Sequence, residues 1–331
     1  PVAAPREGRI REGLTANANP RQPPRAGAVL PPDRPAENRG SEGLGRSGPA
    51  GGGVMRRVWL PAILLAIAPS VWSAAPSPGC GASPPDPPPP TIEVDGRTRE
   101  FITAVPDGYD PAVPHALVFA FHGRTTPNTQ VRRYFGLERA AAHATIVVYP
   151  AGLVADDGKF SWYERGQHGD RLRDYALFDA LVEQFSSAYC IDLDRIFAVG
   201  HSLGGSFANS LGCARGSVIR GVGSVAGRIW EAECSGPTAA MIIHNPDDDL
   251  VPVTRGEHAR DWALAQNGLE ADSRGCEPSD LACECYGPPE AENPVVWCPH
   301  DQDLTRSGRF YPHLWPDGAG AAIMGFFANL P

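Results

Sequence analysis

Hydrophobic and polar positions are distributed unevenly along the chain. Residues 1–54 show no apolar periodicity and run through Pro, Gly, Ala and Arg in low-complexity order, as in Arg21-Gln22-Pro23-Pro24-Arg25. Such a segment buries too little surface to offset its chain entropy and is expected to be disordered. An apolar run follows from Val58 to Val71. From residue 91 the pattern becomes regular. Thr91-Ile92-Glu93-Val94 and the stretch from Arg99 to Val105 alternate about Asp95-Gly96, which predicts a hairpin. Residues 116–121 are apolar throughout and short, as for a strand covered on both faces. Residues 145–149 repeat this after a helical stretch around 131–143. Between Asp174 and Ala188, the residues Leu177, Phe178, Leu181, Val182 and Phe185 share one helical face. A strand at 195–199 ends abruptly at Gly200. Further strands are expected at 218–225, 239–243 and 294–297, with helices at 206–211, 254–267 and 319–329. A hairpin followed by alternating strands and helices predicts one α/β domain over 91–331. Its sheet should be mostly parallel, with helices on both faces. No internal repeat and no GxGxxG after the first strand support a dinucleotide fold.

The segments ahead of that domain have another character. Met55 is followed by Arg56 and Arg57, then by the apolar run, then by Val71-Trp72-Ser73-Ala74. Charged, apolar, then small is the order of a secretory signal peptide, here 55–75, with 1–54 lying upstream of the true start. A disordered extension carrying a buried helix at 58–71 is the alternative. The run is too short, and interrupted by Pro61 and Pro69, to be a membrane span. Gly79-Cys80 raises a lipid-anchor reading, which Ser77 disfavours where an aliphatic residue is usual. Residues 76–90 read as a stiff Pro-rich linker. Without the ten arginines and five acidic residues before Ala74, the net charge moves from -9 to -14. That balance argues against a nucleic-acid partner, because neutralising phosphates needs a basic footprint. All eight cysteines lie at or after Cys80. An even count in an oxidising compartment predicts disulfides, whose pairing stays open among 105 arrangements. Cys283-Glu284-Cys285 lacks zinc-site spacing, so the 276–298 insertion is expected to be stapled rather than metallated.

Gly200-His201-Ser202-Leu203-Gly204 fits G-x-S-x-G between a buried-type strand and a helix, the strand–turn–helix context in which that motif lifts a serine hydroxyl clear of a sheet. The same turn points the Leu203 amide at a reacting carbonyl oxygen. A serine needs a base, and the base an orienting acid, in the chain order Ser, acid, His. Asp247-Asp248-Asp249 follows the strand ending at His244, and spacing alone does not choose among the three. Of the later histidines, His258 falls within a helix and His300 within the Cys-rich insertion. His313 lies in a loop after the last strand, where a base must reach back over the sheet. A second oxyanion donor belongs after the 116–121 strand, at His122-Gly123-Arg124, most naturally the Arg124 amide. His122 itself reads as a structural histidine beneath the site.

These residues carry a resemblance. The stretches from Arg195 to Gly205 and from His244 to Pro252 resemble secreted bacterial esterases of the polyhydroxybutyrate depolymerase and feruloyl esterase type, grouped with carbohydrate esterase family one. Pro294-Val295-Val296-Trp297-Cys298, His313-Leu314-Trp315-Pro316, Phe121-His122-Gly123 and Tyr189-Cys190-Ile191-Asp192 fit the same group, so the likeness spans about 79–331. It implies an α/β-hydrolase fold, no cofactor and no metal, and a triad mapping to Ser202, Asp248 and His313. Here Asp248 stands four residues before the Pro of Val251-Pro252. Asn245 stands where the family usually has Gly, and Thr125-Thr126 replaces a Gly often found after the oxyanion turn. Asp247 and Asp249 leave the acid open by one position. The implied substrates are feruloyl or acetyl esters on plant xylan, or short polyester oligomers. A non-catalytic carbohydrate-binding module on the same scaffold is the reading outside enzymes. Trp162, Tyr163, Trp230 and Trp315 could stack on an acyl group or sugar ring, with Trp162 and Trp315 the substrate-binding candidates. Core packing is the alternative for each.

Overall fold

A computed structural model describes residues 74–141, 144–162, 173–230, 233–276 and 281–331. The segments expected to be disordered leader and signal peptide lie outside these residues, except Ala74 and Ala75. The hairpin forms as expected: β1 (Thr91–Val94) pairs antiparallel with β2 (Arg97–Ala104). Asp95 and Gly96 take positive φ at its turn, as two-residue hairpin loops demand. There follow β3 (His115–Phe121), α1 (Asn128–Phe135), α2 (Leu137–Ala140) and β4 (Thr145–Pro150). The helix expected around 131–143 is thus two short ones, broken at Gly136 in the left-handed region (φ 69°). After a small pair, β5 (Leu153–Val154) with β6 (Phe160–Ser161), come α3 (Arg173–Ala188) and β7 (Ile191–His201). Then α4 (Leu203–Ala214), β8 (Gly221–Val225), β9 (Ala239–His244) and α5 (Val253–Asn267) continue the alternation. The chain closes with β10 (Ser273–Cys276), β11 (Cys283–Tyr286), β12 (Val295–Pro299) and α6 (Ala319–Ala328).

Among the described residues ten strands form one sheet in the order β1-β2-β4-β3-β7-β8-β9-β12-β11-β10. The six from β4 to β12 are parallel to one another, and antiparallel strands flank them at both edges. The central strands are apolar over most of their length because helices cover both faces. Leu117, Phe119 and Phe121 meet α3 and α4 on one face, with Leu181 and Phe207 among their partners. Val118 and Ala120 meet α1 and α6 on the other, among Val131, Ile323 and Phe327. Every strand of the parallel set therefore ends its carboxyl terminus at the same rim, where open α/β sheets gather their ligand-binding loops.

All eight cysteines are paired: Cys80–Cys190, Cys213–Cys234, Cys276–Cys285 and Cys283–Cys298. The last two staple the insertion ahead of His313. That insertion is not a loose loop, because β10 and β11 extend the main sheet beyond β12. The stretch expected as a linker, 76–90, is tied down at its start. Ser77 donates its amide to the Ile191 carbonyl at 2.8 Å and its hydroxyl to the Tyr189 carbonyl at 2.8 Å. Ala75 donates to Asp192 and accepts from Leu193. The Cys80–Cys190 bond, closing 110 residues, contributes up to about 5 kcal/mol by chain entropy. Proline content alone does not reveal such anchoring, since it shows in the hydrogen-bond partners and not in the composition. No described helix is long and apolar enough to cross a membrane.

Candidate active site

Ser202 occupies the residue between β7 and α4. Its backbone is held at φ 58° and ψ −121°, a conformation that L side chains rarely adopt and that costs about 1–3 kcal/mol. The surrounding backbone makes the turn sharp. A Cβ at Gly204 would collide with the Phe121 carbonyl, and one at Gly200 with the Gly204 carbonyl. The Ser202 amide is anchored on the Val225 carbonyl at 2.9 Å. The motif glycines are thus demanded by main chain packed on main chain. Leu203 is the first residue of α4, so its N–H has no partner within the helix and points beyond the helix start.

Two other strand ends supply the rest. Asp248 follows β9 and is buried, while Asp247 and Asp249 are exposed. His313 lies in the loop between β12 and α6 and is also buried. His313 Nδ1 stands 2.6 Å from Asp248 Oδ2, and His313 Nε2 stands 2.7 Å from Ser202 Oγ. A carboxylate only accepts, so Nδ1 carries the proton and Nε2 is the acceptor for the serine hydroxyl. Asp248 Oδ1 accepts the amides of Leu250 and Val251, each at 2.9 Å. Burial pushes the Asp248 carboxyl up, but hydrogen bonds from His244, His313 and the Val251 amide outweigh it and hold the group below the ordinary carboxylate range. The ring that bonds both Ser202 Oγ and Asp248 is that of His313 and not of the other histidines weighed as bases. His258 is exposed on α5. His300 is buried, and burial pushes its imidazole down to about 4.

Three supporting residues escaped the sequence reading. His244, the last residue of β9, donates from Nε2 to the Val251 carbonyl at 2.8 Å and stands 3.4 Å from Asp248 Oδ2. Asn245, noted only as a departure from a family Gly, accepts the Asp247 amide and donates to the Gln302 carbonyl at 3.0 Å. It thereby joins the acid loop to the loop that leads to His313. His201, the variable position of the motif, is buried with its ring 5.3 Å from that of His313. Burial, aided by the neighbouring His313, pushes it down to about 3.

The expected oxyanion turn also lies at the site. Gly123 packs on the serine, and a Cβ there would sit 3.3 Å from Ser202 Cβ. The Arg124 guanidinium turns outward to Asp157 at 2.7 Å, and its carbonyl accepts the Phe160 amide. Trp162 does not belong at a substrate surface. It is fully buried, stacked on Phe207, with its indole N–H donated to the His122 carbonyl at 2.7 Å. Aromatic character alone does not distinguish a binding platform from a core residue whose N–H has found a carbonyl. Trp230 is buried as well, and Tyr163 lies outside the described residues. Trp315 is partly exposed, stacked on Phe135 at 3.8 Å, and lines a cleft of about 580 Å³ with Tyr134, His201, Tyr311 and Leu314. Ser202 and His313 are not part of that lining, but their chain neighbours His201 and Leu314 are. No group of His, Cys, Asp and Glu suited to a metal ion occurs among the described residues.

Residues 93–270 match the model of the Esterase family, more than half of the chain. The chain belongs to the Esterase family. Within it, feruloyl esterase C of Emericella nidulans is 31% identical over 248 residues, covering 71% of this chain and 82% of the relative. Feruloyl esterase D of Neurospora crassa is 28% identical over 268 residues, covering 75% and 88%. Among solved structures, an acetyl xylan esterase from Aspergillus awamori aligns with a TM-score of 0.50 at 12% identity, over 69% of this chain and 94% of its own. A carboxylesterase from Bacillus cereus aligns with a TM-score of 0.50 at 14% identity, over 70% and 95%. At such identities these two speak for the fold alone, which is that of the α/β-hydrolases. This family member is a carboxylic ester hydrolase.

Proposed function

We propose that the chain is a secreted serine esterase that releases feruloyl or acetyl groups from plant xylan, with Ser202 as nucleophile, His313 as base and Asp248 as orienting acid. The observation that carries this reading is the unbroken line from Ser202 Oγ through His313 to Asp248, with links of 2.7 and 2.6 Å. As Ser202 Oγ bonds to the ester carbonyl carbon, its proton passes to His313 Nε2 and the carbonyl π pair moves onto oxygen. The amides of Leu203 and Arg124 receive that oxyanion. On collapse the carbon–alkoxy bond breaks, and the leaving alcohol takes the proton from Nε2. Water then repeats the sequence on the acyl-enzyme, releasing the acid and restoring Ser202. Asp248, which accepts from His313 Nδ1 and from the Leu250 and Val251 amides, keeps the imidazole in the required tautomer throughout.

The feruloyl preference is supported by relatives named as feruloyl esterases. The cleft beside the serine is walled in part by Trp315 and Tyr134, apolar faces suited to an aromatic acid or a sugar ring. Secretion is supported by four disulfides and by the charged, apolar, small order of 55–75. The test is acid release from methyl ferulate, acetylated xylan and hydroxybutyrate oligomers by the wild type and by Ser202→Ala. The expected result is turnover of the first or second substrate, falling by about four to six orders of magnitude in the variant. Turnover confined to the oligomers moves the substrate to polyesters. An inactive wild type that is retained on xylan replaces catalysis by binding.

A further inference from the structure

Resting on that reading, we propose that His122 is a positioning residue that locks the Gly123–Arg124 peptide with its N–H toward the oxyanion. His122 is fully buried, and both ring nitrogens are engaged. Nδ1 lies 2.7 Å from the Gly123 carbonyl oxygen, and Nε2 accepts the Gly152 amide at 2.8 Å. A carbonyl only accepts and an amide only donates, so the ring is the neutral Nδ1–H tautomer. Burial pushes this imidazole down to about 4, consistent with a ring that stays uncharged near neutral pH.

The consequence follows from the planarity of the peptide. In a trans unit the C=O and the following N–H point in opposite directions. Holding the Gly123 carbonyl inward on His122 therefore turns the Arg124 N–H to the other side of the turn, where Gly123 abuts Ser202. A flip of this one peptide would present a carbonyl to the developing negative charge and remove half of the oxyanion site. Two further contacts brace the lock. Trp162 Nε1–H holds the preceding carbonyl, that of His122, at 2.7 Å, and the Phe160 amide holds the following one, that of Arg124, at 3.0 Å. Three successive carbonyls are thus tied down. The buried Arg99, which pairs with Asp174 at 2.7 Å, donates to the Ala151 carbonyl beside the Gly152 amide that His122 uses.

The experiment is His122→Phe in the full chain. It keeps a ring in the cavity and deletes both hydrogen bonds. Loss of one oxyanion donor predicts a kcat about a hundredfold lower with KM within about twofold. A boronic acid that forms a tetrahedral adduct should lose affinity by a similar factor, while a non-hydrolysable amide analogue of the substrate keeps its own. Should His122→Phe fail to fold, Trp162→Phe tests the same lock, retaining the stack on Phe207 and removing only the indole donor; there the expected fall is up to about tenfold in kcat. A folded variant with unchanged kcat, or with a change confined to KM, overturns the proposal. Activity surviving in Ser202→Ala is a different result, because it overturns the triad reading on which the lock depends.

Discussion

The turn that carries Ser202 and the loop that carries His313 hold their side chains by different means. At the turn, backbone packs on backbone: Gly204 lies against the Phe121 carbonyl, Gly200 against Gly204, and the Ser202 amide bonds to Val225. The loop over 300–313 closes on itself through backbone bonds, Tyr311 N–H to the Asp303 carbonyl at 2.6 Å and Thr305 N–H to the Arg309 carbonyl at 2.9 Å, and side chains tie it to its surroundings. Asn245 donates to the Gln302 carbonyl, and the Gln302 side chain accepts the Asp317 amide at 2.8 Å and donates to the Asp317 carbonyl at 3.2 Å. The same loop leaves Leu304 and Phe310 about three-fifths exposed. A site packed backbone to backbone fails by collision, whereas one tied by side chains fails by losing alignment. The serine's position is set by shape, and the imidazole's by the hydrogen bonds it makes inside the site.

The largest expected effect breaks that alignment without touching the packing. Asp248→Asn should lower kcat by about 10⁴, because the amide stabilises the wrong tautomer of His313, and should also lower the melting temperature, because the fold holds this carboxyl below its ordinary range. Asp247→Asn and Asp249→Asn, both exposed, should stay within about twofold in the same kinetic assay. An equal loss in either would move the acid. Next comes collision. Gly204→Ala should cost about 3 kcal/mol or more in urea unfolding, whereas Gln302→Ala on the loop should cost about 1 kcal/mol. Equal costs would erase the contrast.

The smallest effect is read in pH. Burial pushes His122 and His300 down to about 4 from the ordinary 6.5. Below about pH 6.5 the unfolded chain therefore binds protons that the folded chain refuses. The loss owed to these two should accrue between about pH 6.5 and 4, each histidine contributing up to about 1.4 kcal/mol per pH unit, while His201 and Asp248 carry the fall on to lower pH. His300→Gln should flatten the slope, measured as urea midpoints across that window, and an unchanged slope removes His300 from the account.

What the sequence disclosed and what it concealed divide along the same line. The alternation of strands and helices follows from period and apolar runs, which are local, and so does the glycine pattern around Ser202. Placement after the last strand singled out His313. Residue type alone did not separate Asp248 from its two neighbours, because which carboxylate is buried is a tertiary property; family likeness made that choice. Trp162 was misread because an aromatic side chain beside a site has the same one-letter signature whether it faces a ligand or a carbonyl. The supporting roles of His244 and Asn245 were not legible for a related reason: their partners, 4 and 7 residues on for His244 and 57 for Asn245, are chosen by the fold and not by residue type. The disulfide pairing, the docking of Ser77 and the extension of the sheet by β10 and β11 are likewise long-range and leave no periodic trace.

The docking of residues 75–80 sets where anything joined ahead of them must emerge. That point lies beside Asp192 at the start of β7, while Ser202 sits just past the other end of the strand. β3 pairs its first residue with Ile191 and its last with Gly200 across a bulge in β7, so the seven residues of β3 put roughly 20 Å between the two ends. A solid support or a polysaccharide-gripping module coupled in front of Ala75 would grasp the enzyme by its far pole, leaving the mouth of the cleft turned away from the tether and open to a bulky polymer.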